Sequence, residues 1–111
     1  MEATINPAIE PIVREFKAAL QVMYGERLRD VVLYGSYARG DYDEESDIDL
    51  MIVLNDETVN TISEAWKMGD LTTTLLLNYG KVVSVLPVAA NRFALSYMPV
   101  YQNARREGIM L

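Results

Sequence analysis

Two stretches decide the fold: Arg29-Asp30-Val31-Val32-Leu33-Tyr34-Gly35-Ser36 and Ser46-Asp47-Ile48-Asp49-Leu50-Met51-Ile52-Val53-Leu54. The first is a short β-rich run that breaks off at Gly35 and reads as a buried strand over Arg29–Tyr34. The second places Ile48, Leu50, Ile52 and Leu54 at alternate positions, which puts them on one face of a strand over Ile48–Leu54. The connection from Leu33 to Ile52 is too long for a tight hairpin, so a functional loop is expected between the two strands.

That loop concentrates charge. Asp41, Asp43, Glu44, Glu45, Asp47 and Asp49 lie within nine residues that hold no base, whereas the rest of the chain balances ten acidic against ten basic side chains. The formal charge of −6 therefore belongs to one segment, and a local concentration of carboxylates asks for a reason that general solubility does not supply. Asp47 and Asp49 are two residues apart on a strand, so they stand on the same face about 6.6 Å apart. Two like charges at that separation repel, and a divalent cation removes the penalty. Ile48 and Leu50 point the other way, into the core, and hold the pair on a rigid element. On the opposite side, Gly35 lets backbone approach a ligand closely and Ser36 offers a hydroxyl and an N–H. A helical turn beginning near Tyr37-Ala38-Arg39 would turn its first amides to the same cleft, where they favour phosphate. A phosphate cradle facing a metal anchor suits a nucleoside triphosphate with its magnesium.

Working outward, Ile9, Ile12, Val13, Phe16, Leu20 and Met23 fall at helical spacing over Pro7–Tyr24, with Asn6 as N-cap, Pro7 at the first helical position and Gly25 as the stop. A second helical stretch is expected over Thr58–Tyr79, carrying Val59, Ile62, Ala65, Trp66, Leu76 and Leu77. Gly69 and the Thr72-Thr73-Thr74 run weaken it locally, and Gly80 caps it. Lys81–Leu86 reads as a third strand closed by Pro87, and Arg92–Glu107 as helical in parts, with Pro99 beginning or kinking a helix. The order predicts an α+β (α/β) domain with a small mixed sheet of three to four strands and helices packed on one side.

The 111 residues suit one domain over 1–111, and half of them are hydrophobic, enough for a core. Cys and His are absent. The sequence thus excludes a disulfide framework, a zinc finger, thiol catalysis, a Ser-His-Asp triad and a histidine base. Any metal must be held by oxygen, which points to magnesium, manganese or calcium. No basic stripe favours non-specific nucleic-acid binding. Met1–Thr4 lacks the features of a signal peptide, and apolar runs such as Leu50–Leu54 fall far short of the ~20 residues that span a bilayer, so a cytoplasmic protein without membrane association is expected. The acidic segment lacks the Gly spacing of a calcium loop and runs straight into a strand.

Gly35-Ser36, ten intervening residues and Asp47-Ile48-Asp49 resemble the signature of the DNA polymerase β-like nucleotidyltransferase superfamily. The fuller string, Gly35-Ser36-Tyr37-Ala38-Arg39-Gly40 with Ser46-Asp47-Ile48-Asp49-Leu50, is similar to its minimal nucleotidyltransferase (MNT) branch. The resemblance implies that Gly35 and Ser36 hold the triphosphate of an NTP, ATP in several members, and that Asp47 and Asp49 bind Mg2+, with Mn2+ as an alternative. It implies an antitoxin of a toxin–antitoxin pair whose partner is a HEPN-type toxin, with AMP moved from ATP to a hydroxyl of that protein. Arg39 is a candidate phosphate or partner contact, or a partner of Asp41 or Asp43. Tyr37 and Tyr42 either stack on a base or pack locally. The chain departs from the resemblance at the third carboxylate of active members, whose aligned position is Ser84 in Lys81-Val82-Val83-Ser84-Val85-Leu86. Asp70 is the substitute if the preceding helix passes the cleft. Loss of that group allows a second reading: a nucleotidyltransferase fold with weakened catalysis that neutralises its partner by occlusion. Arg105-Arg106-Glu107 reads as a solvated helix end, and a homodimer or heteromer is open to a chain of this size.

Overall fold

The computed structural model describes residues 5–111, so the reading of Met1–Thr4 lies outside the described residues. Its elements are α1 (Glu10–Tyr24), β1 (Leu28–Tyr34), α2 (Ser36–Arg39), β2 (Ile48–Leu54), α3 (Thr61–Lys67), α4 (Gly69–Tyr79), β3 (Val83–Ala89), α5 (Ala90–Leu95), α6 (Pro99–Glu107) and β4 (Ile109–Met110). The strands form one mixed sheet in the order β3-β2-β1-β4. β1 runs antiparallel to both β2 and β4, and β2 runs parallel to β3.

The mixed sheet is as the sequence leads one to expect, but its cover is different: helices lie on both faces. Ile48, Leu50, Ile52 and Leu54 of β2 join Val31 and Leu33 of β1 in a core built with Ile12, Val13, Phe16 and Leu20 of α1 and Leu75 of α4. The alternate residues Met51 and Val53 join Val32 and Val88 in a second core under Tyr101 and Ala104 of α6, with Phe93 of α5 beside it. A central strand buried on both faces reads as a continuous apolar run rather than an alternating one, and Leu50–Leu54 is such a run. Each fully buried Leu, Ile or Phe contributes roughly 1.5–3 kcal/mol relative to exposure, so neither layer is dispensable.

Several local expectations shift for physical reasons. Asn6 caps the turn before α1, with its Oδ1 accepting from Ala8 N at 2.8 Å, and the helix proper begins at Glu10. Gly25 ends α1 at φ 55, and Tyr24 rather than Met23 completes its buried stripe. The long second helix is two, meeting at Met68 beside Gly69, and Asn60 caps the first by accepting from Ser63 N at 3.0 Å. Its expected apolar stripe does not face the core: Ile62, Trp66 and Leu77 are exposed, while Met68 and Leu75 are buried. Pro87 does not close β3 but lies inside it. β3 is an edge strand paired only with β2, where a missing N–H is tolerated, and Thr61 Oγ1 donates to the Pro87 carbonyl at 2.9 Å. The start of α6 at Pro99 is as expected. Arg105 is not a free solvated end: its guanidinium donates to Phe93 O at 2.7 Å and Ser96 O at 2.8 Å, fastening α6 to α5.

Glu64, pointing inward from α3, is the buried charged residue among those described. Its Oε2 accepts from Tyr24 Oη at 2.7 Å, and its Oε1 lies 3.4 Å from Arg27 Nη2 and 3.3 Å from Lys67 Nζ. Burial pushes the carboxyl up, but the donations from Tyr24, Lys67 and Arg27 outweigh it and hold Glu64 below its usual 4.5. A depressed carboxylate stabilises the fold above its unfolded pKa and loses that contribution as pH falls through the folded value. The expected outcome is acid loss of stability beginning near pH 4.5, shallower in Glu64→Gln when melting temperature is followed against pH. Glu64→Ala leaves the Tyr24 hydroxyl without its acceptor and costs about 1–3 kcal/mol at neutral pH in denaturant unfolding.

Candidate active site

Antiparallel pairing brings the C-terminal end of β1 and the N-terminal end of β2 together, with Tyr34 opposite Asp49. On the other side of β2, Asp49 pairs with Ser84 of β3. Gly35 follows Tyr34 at φ 73 and ψ −153, a conformation open to glycine and strained for other residues. A Cβ at Gly35 would collide with the Asp49 carboxylate. The bend and the acid are therefore neighbours, and a side chain at position 35 would have to displace the Asp49 carboxylate as well as adopt the positive φ. Immediately after the bend, Ala38 N and Arg39 N both donate to Gly35 O at 3.1 Å, closing α2, and Gly40 ends it at φ 93.

A cleft of about 420 Å³ opens here, lined by Tyr34, Gly35, Ser36, Arg39, Asp49, Val100, Asn103 and Glu107. Larger hollows of about 760, 650 and 640 Å³ exist elsewhere, and none contains Asp47, Asp49 or the Gly35–Ser36 bend. Chemistry, not size, selects the smaller one. Asp49 faces the layer covered by α5 and α6, opposite the core-facing Ile48 and Leu50. Asp47, two residues earlier and just ahead of β2, is exposed and is not among the residues that line the cleft. Burial first, and the Asp47 charge second, raise the Asp49 carboxyl above 3.8, while Arg39 pulls it down. Burial, the Asp49 charge and Tyr101 push the Tyr34 phenol up to about 12, so it remains an O–H donor at neutral pH.

Among the described residues no three acidic, His or Cys side chains converge as a metal site. The twin aspartates fit an oxygen-preferring divalent cation as a two-carboxylate anchor, leaving other positions to water and phosphate. Their mutual repulsion, felt at Asp49, is what such an ion would relieve.

The remaining candidates fall as follows. Arg39 lines the cleft and also pairs with Asp41, Nε to Oδ2 at 3.2 Å. Ser84 is exposed, a neutral neighbour of Asp49 across the strand pair. Asp70 is not a substitute: it belongs to a separate hollow with Ile62, Trp66 and Thr73. Tyr37 and Tyr42 stack on one another, centroids 4.6 Å apart at 12°, so the local packing holds. Asp43 closes the acidic loop, accepting from Glu45 N at 2.9 Å while its own N–H donates to Ser46 Oγ at 2.9 Å. Lys81 pins that loop by donating to Glu44 O at 3.0 Å. Three lining residues are not singled out in the sequence: Tyr34, read only as strand, Val100 and Asn103; Glu107, expected on a solvated helix end, lines the cleft instead. The spacing of the last three on α6 was a usable signal, but nothing local tied that helix to the bend.

Residues 13–96 match the nucleotidyltransferase domain family, and the chain belongs to it, in the minimal nucleotidyltransferase branch. A Methanocaldococcus jannaschii protein provisionally named protein adenylyltransferase MJ0604 is 44% identical over 77 residues, covering 69% of this chain and 70% of the relative. A second from that organism, provisionally named protein adenylyltransferase MJ0141, is 38% identical over 73 residues, covering 66% and 72%. A solved structure provisionally described as a minimal nucleotidyltransferase superposes with a TM-score of 0.52 at 26% identity, covering 91% of each chain. A toxin–antitoxin crystal structure with AMP-PNP shares the fold, with a TM-score of 0.58 at 20% identity over 86% of this chain and 69% of that one. No helix of the described residues is long and apolar enough to cross a membrane.

Two outcomes follow for the site. Asp49 has a raised pKa, so its contribution to stability is complete below pH 3.8 and lost as pH rises through its folded value. Asp49→Asn is therefore expected to melt roughly 2–4 °C higher than the unsubstituted protein at pH 7 in chelator, and to gain nothing further from added magnesium. Gly35→Ala is expected to lose about 1–3 kcal/mol in urea unfolding, because φ and the Asp49 contact both oppose the new methyl.

Proposed function

We propose that this nucleotidyltransferase moves a nucleoside monophosphate, AMP from ATP, to a hydroxyl of a protein acceptor, and that the acceptor is a HEPN-type toxin for which the chain is the antitoxin. The contact between Gly35 and the Asp49 carboxylate carries the reading, because it brings a phosphate-accepting bend against one member of the twin-aspartate anchor. The adenylyltransferase names of the two archaeal relatives and the toxin–antitoxin neighbour with AMP-PNP support the substrate and the setting. A cytoplasmic location, where ATP and magnesium are plentiful, goes with the same reading, as does one catalytic domain over residues 1–111.

In this scheme Asp47 and Asp49 hold Mg2+, or Mn2+ in its place, and the ion when bound neutralises charge on the triphosphate. Ser36 and the backbone after Gly35 seat the β- and γ-phosphates, and Arg39 adds a fixed positive charge on the same side. Tyr34, kept protonated, offers an O–H from the cleft floor. The acceptor hydroxyl attacks the α-phosphorus and gives up its proton to water, the bond from that phosphorus to the bridging oxygen breaks, and pyrophosphate leaves as the new phosphodiester forms. Nucleotidyl transfer of this kind depends mostly on positioning and electrostatics, so the neutral Ser84 slows the chemistry without forbidding it.

Ser84 also favours a second reading, in which the chain binds and occludes its partner with little transfer. Incubation with α-labelled ATP, magnesium and the protein encoded beside this chain separates the two. Transfer is expected to put label on the partner, and Asp47→Asn or Asp49→Asn to lower it by on the order of 10²–10³. An unlabelled partner that remains inhibited, by these variants too, establishes occlusion instead.

A further inference from the structure

The cleft wall facing away from β3 is α6. Val100, Asn103 and Glu107 share one side of that helix and line the cleft together with Arg39. Glu107 Oε2 lies 3.9 Å from Arg39 Nη1, and its Oε1 accepts from Arg106 Nη2 at 3.3 Å. The same Arg106 nitrogen donates to Asn103 Oδ1 at 3.0 Å, so both polar groups of the wall are oriented from outside the cleft. Arg39 thus has two carboxylate neighbours that pull in different directions. Asp41 sits on the loop with 63% of its side chain exposed, whereas Glu107 lies in the cleft wall with 30% exposed.

The backbone beyond Glu107 has little freedom. A Cβ at Gly108 would strike the Ala104 carbonyl and come within 2.6 Å of Val32 Cγ1, and the next residue, Ile109, is paired with Leu33. The carboxylate is therefore delivered by a fixed helix end to one side of the Gly35 bend. That side is opposite β3: in the sheet order β3-β2-β1-β4, Ser84 and Asp49 lie on one side of Tyr34, and the end of α6 lies on the other. Glu107 does not occupy the place of a third metal-binding carboxylate, and what it reaches is Arg39.

We propose that Glu107 is a positioning residue for Arg39: it faces Nη1 from the cleft wall at 3.9 Å while Asp41 holds Nε from the loop at 3.2 Å, and so draws the guanidinium toward the cleft where it meets the triphosphate. The proposal rests on the nucleotide reading given above. An interaction present equally in the bound substrate and the transition state shows in KM and leaves kcat alone. If Glu107 acts through Arg39, the two substitutions must be non-additive.

Calorimetric titration with AMP-PNP and magnesium tests this on the full chain, alongside Glu107→Gln, Glu107→Asp, Arg39→Gln and the double variant. Glu107→Gln is expected to weaken binding about threefold to tenfold, Glu107→Asp to recover part of the loss, and the double variant to bind no worse than Arg39→Gln. In the transfer assay, KM for ATP should rise in Glu107→Gln with kcat held within about twofold. Unchanged or tighter binding by Glu107→Gln, or a double variant showing the product of the two single losses, overturns the role of Glu107 and leaves the nucleotide reading standing. Failure of the unsubstituted protein to bind AMP-PNP with magnesium overturns both.

Discussion

The structure is organised around a close approach between backbone and charge: Gly35 passes so near the Asp49 carboxylate that no side chain can intervene. The antiparallel register of β1 and β2 sets Tyr34 opposite Asp49, and the positive φ of Gly35 then turns the chain across the acid. The arrangement is electrostatically costly. It leaves a partly buried carboxylate beside a second one, with Arg39 as the cation that lowers its pKa. Electrostatic tension of this kind is common where binding or chemistry is to follow, because a ligand of opposite charge relieves it.

The two-layer cover explains why such a site has walls. Had helices lain on one face only, Asp49 would stand on an open sheet in bulk water, where charges interact weakly. Met51, Val53, Val32 and Val88 make the second face apolar, and α5 and α6 cover it. The cover stops short of the sheet end that carries Asp49, and the gap is the cleft. The two-residue strand β4 has an importance beyond its length. By pairing with Val32 and Leu33 it returns the chain to β1 directly after α6, which brings the end of that helix beside the bend.

What could be read from the sequence was local. The alternate positions of Ile48, Leu50, Ile52 and Leu54, the break at Gly35 and the helix start at Pro99 all depend on neighbours within a few residues, and the structure has them where they were expected. The misreadings involve contacts distant in sequence. Glu64 takes an inward position that periodicity would give to an apolar residue, because Tyr24 and Arg27, some forty residues away in the chain, satisfy it. Pro87 continues a strand because that strand is at an edge, which only the sheet order reveals. Asp70 and Glu107 exchange expectations: the first faces a different hollow, and the second enters the cleft through a pairing too short to show as a strand pattern.

The neutral residue at Ser84 bears on what kind of hydroxyl the proposed chemistry can use. It is exposed and lies across from Asp49, so no carboxylate from that position of β3 is available to take the acceptor's proton. A phenol, with a pKa near 10, gives up its proton far more readily than an aliphatic alcohol and depends correspondingly less on a base. In a loose transition state the incoming oxygen forms little bond before the leaving group departs, which reduces the need for early deprotonation further. With the charge stabilisation of that proposal concentrated on the triphosphate side, through Arg39 and the cation that Asp47 and Asp49 would hold, and little basicity on the acceptor side, the chemistry is better matched to tyrosine than to serine or threonine. Occlusion and transfer are then not opposed architectures. The same open acceptor side that weakens catalysis on an alcohol leaves room for a protein surface to bring its own phenol to the phosphorus.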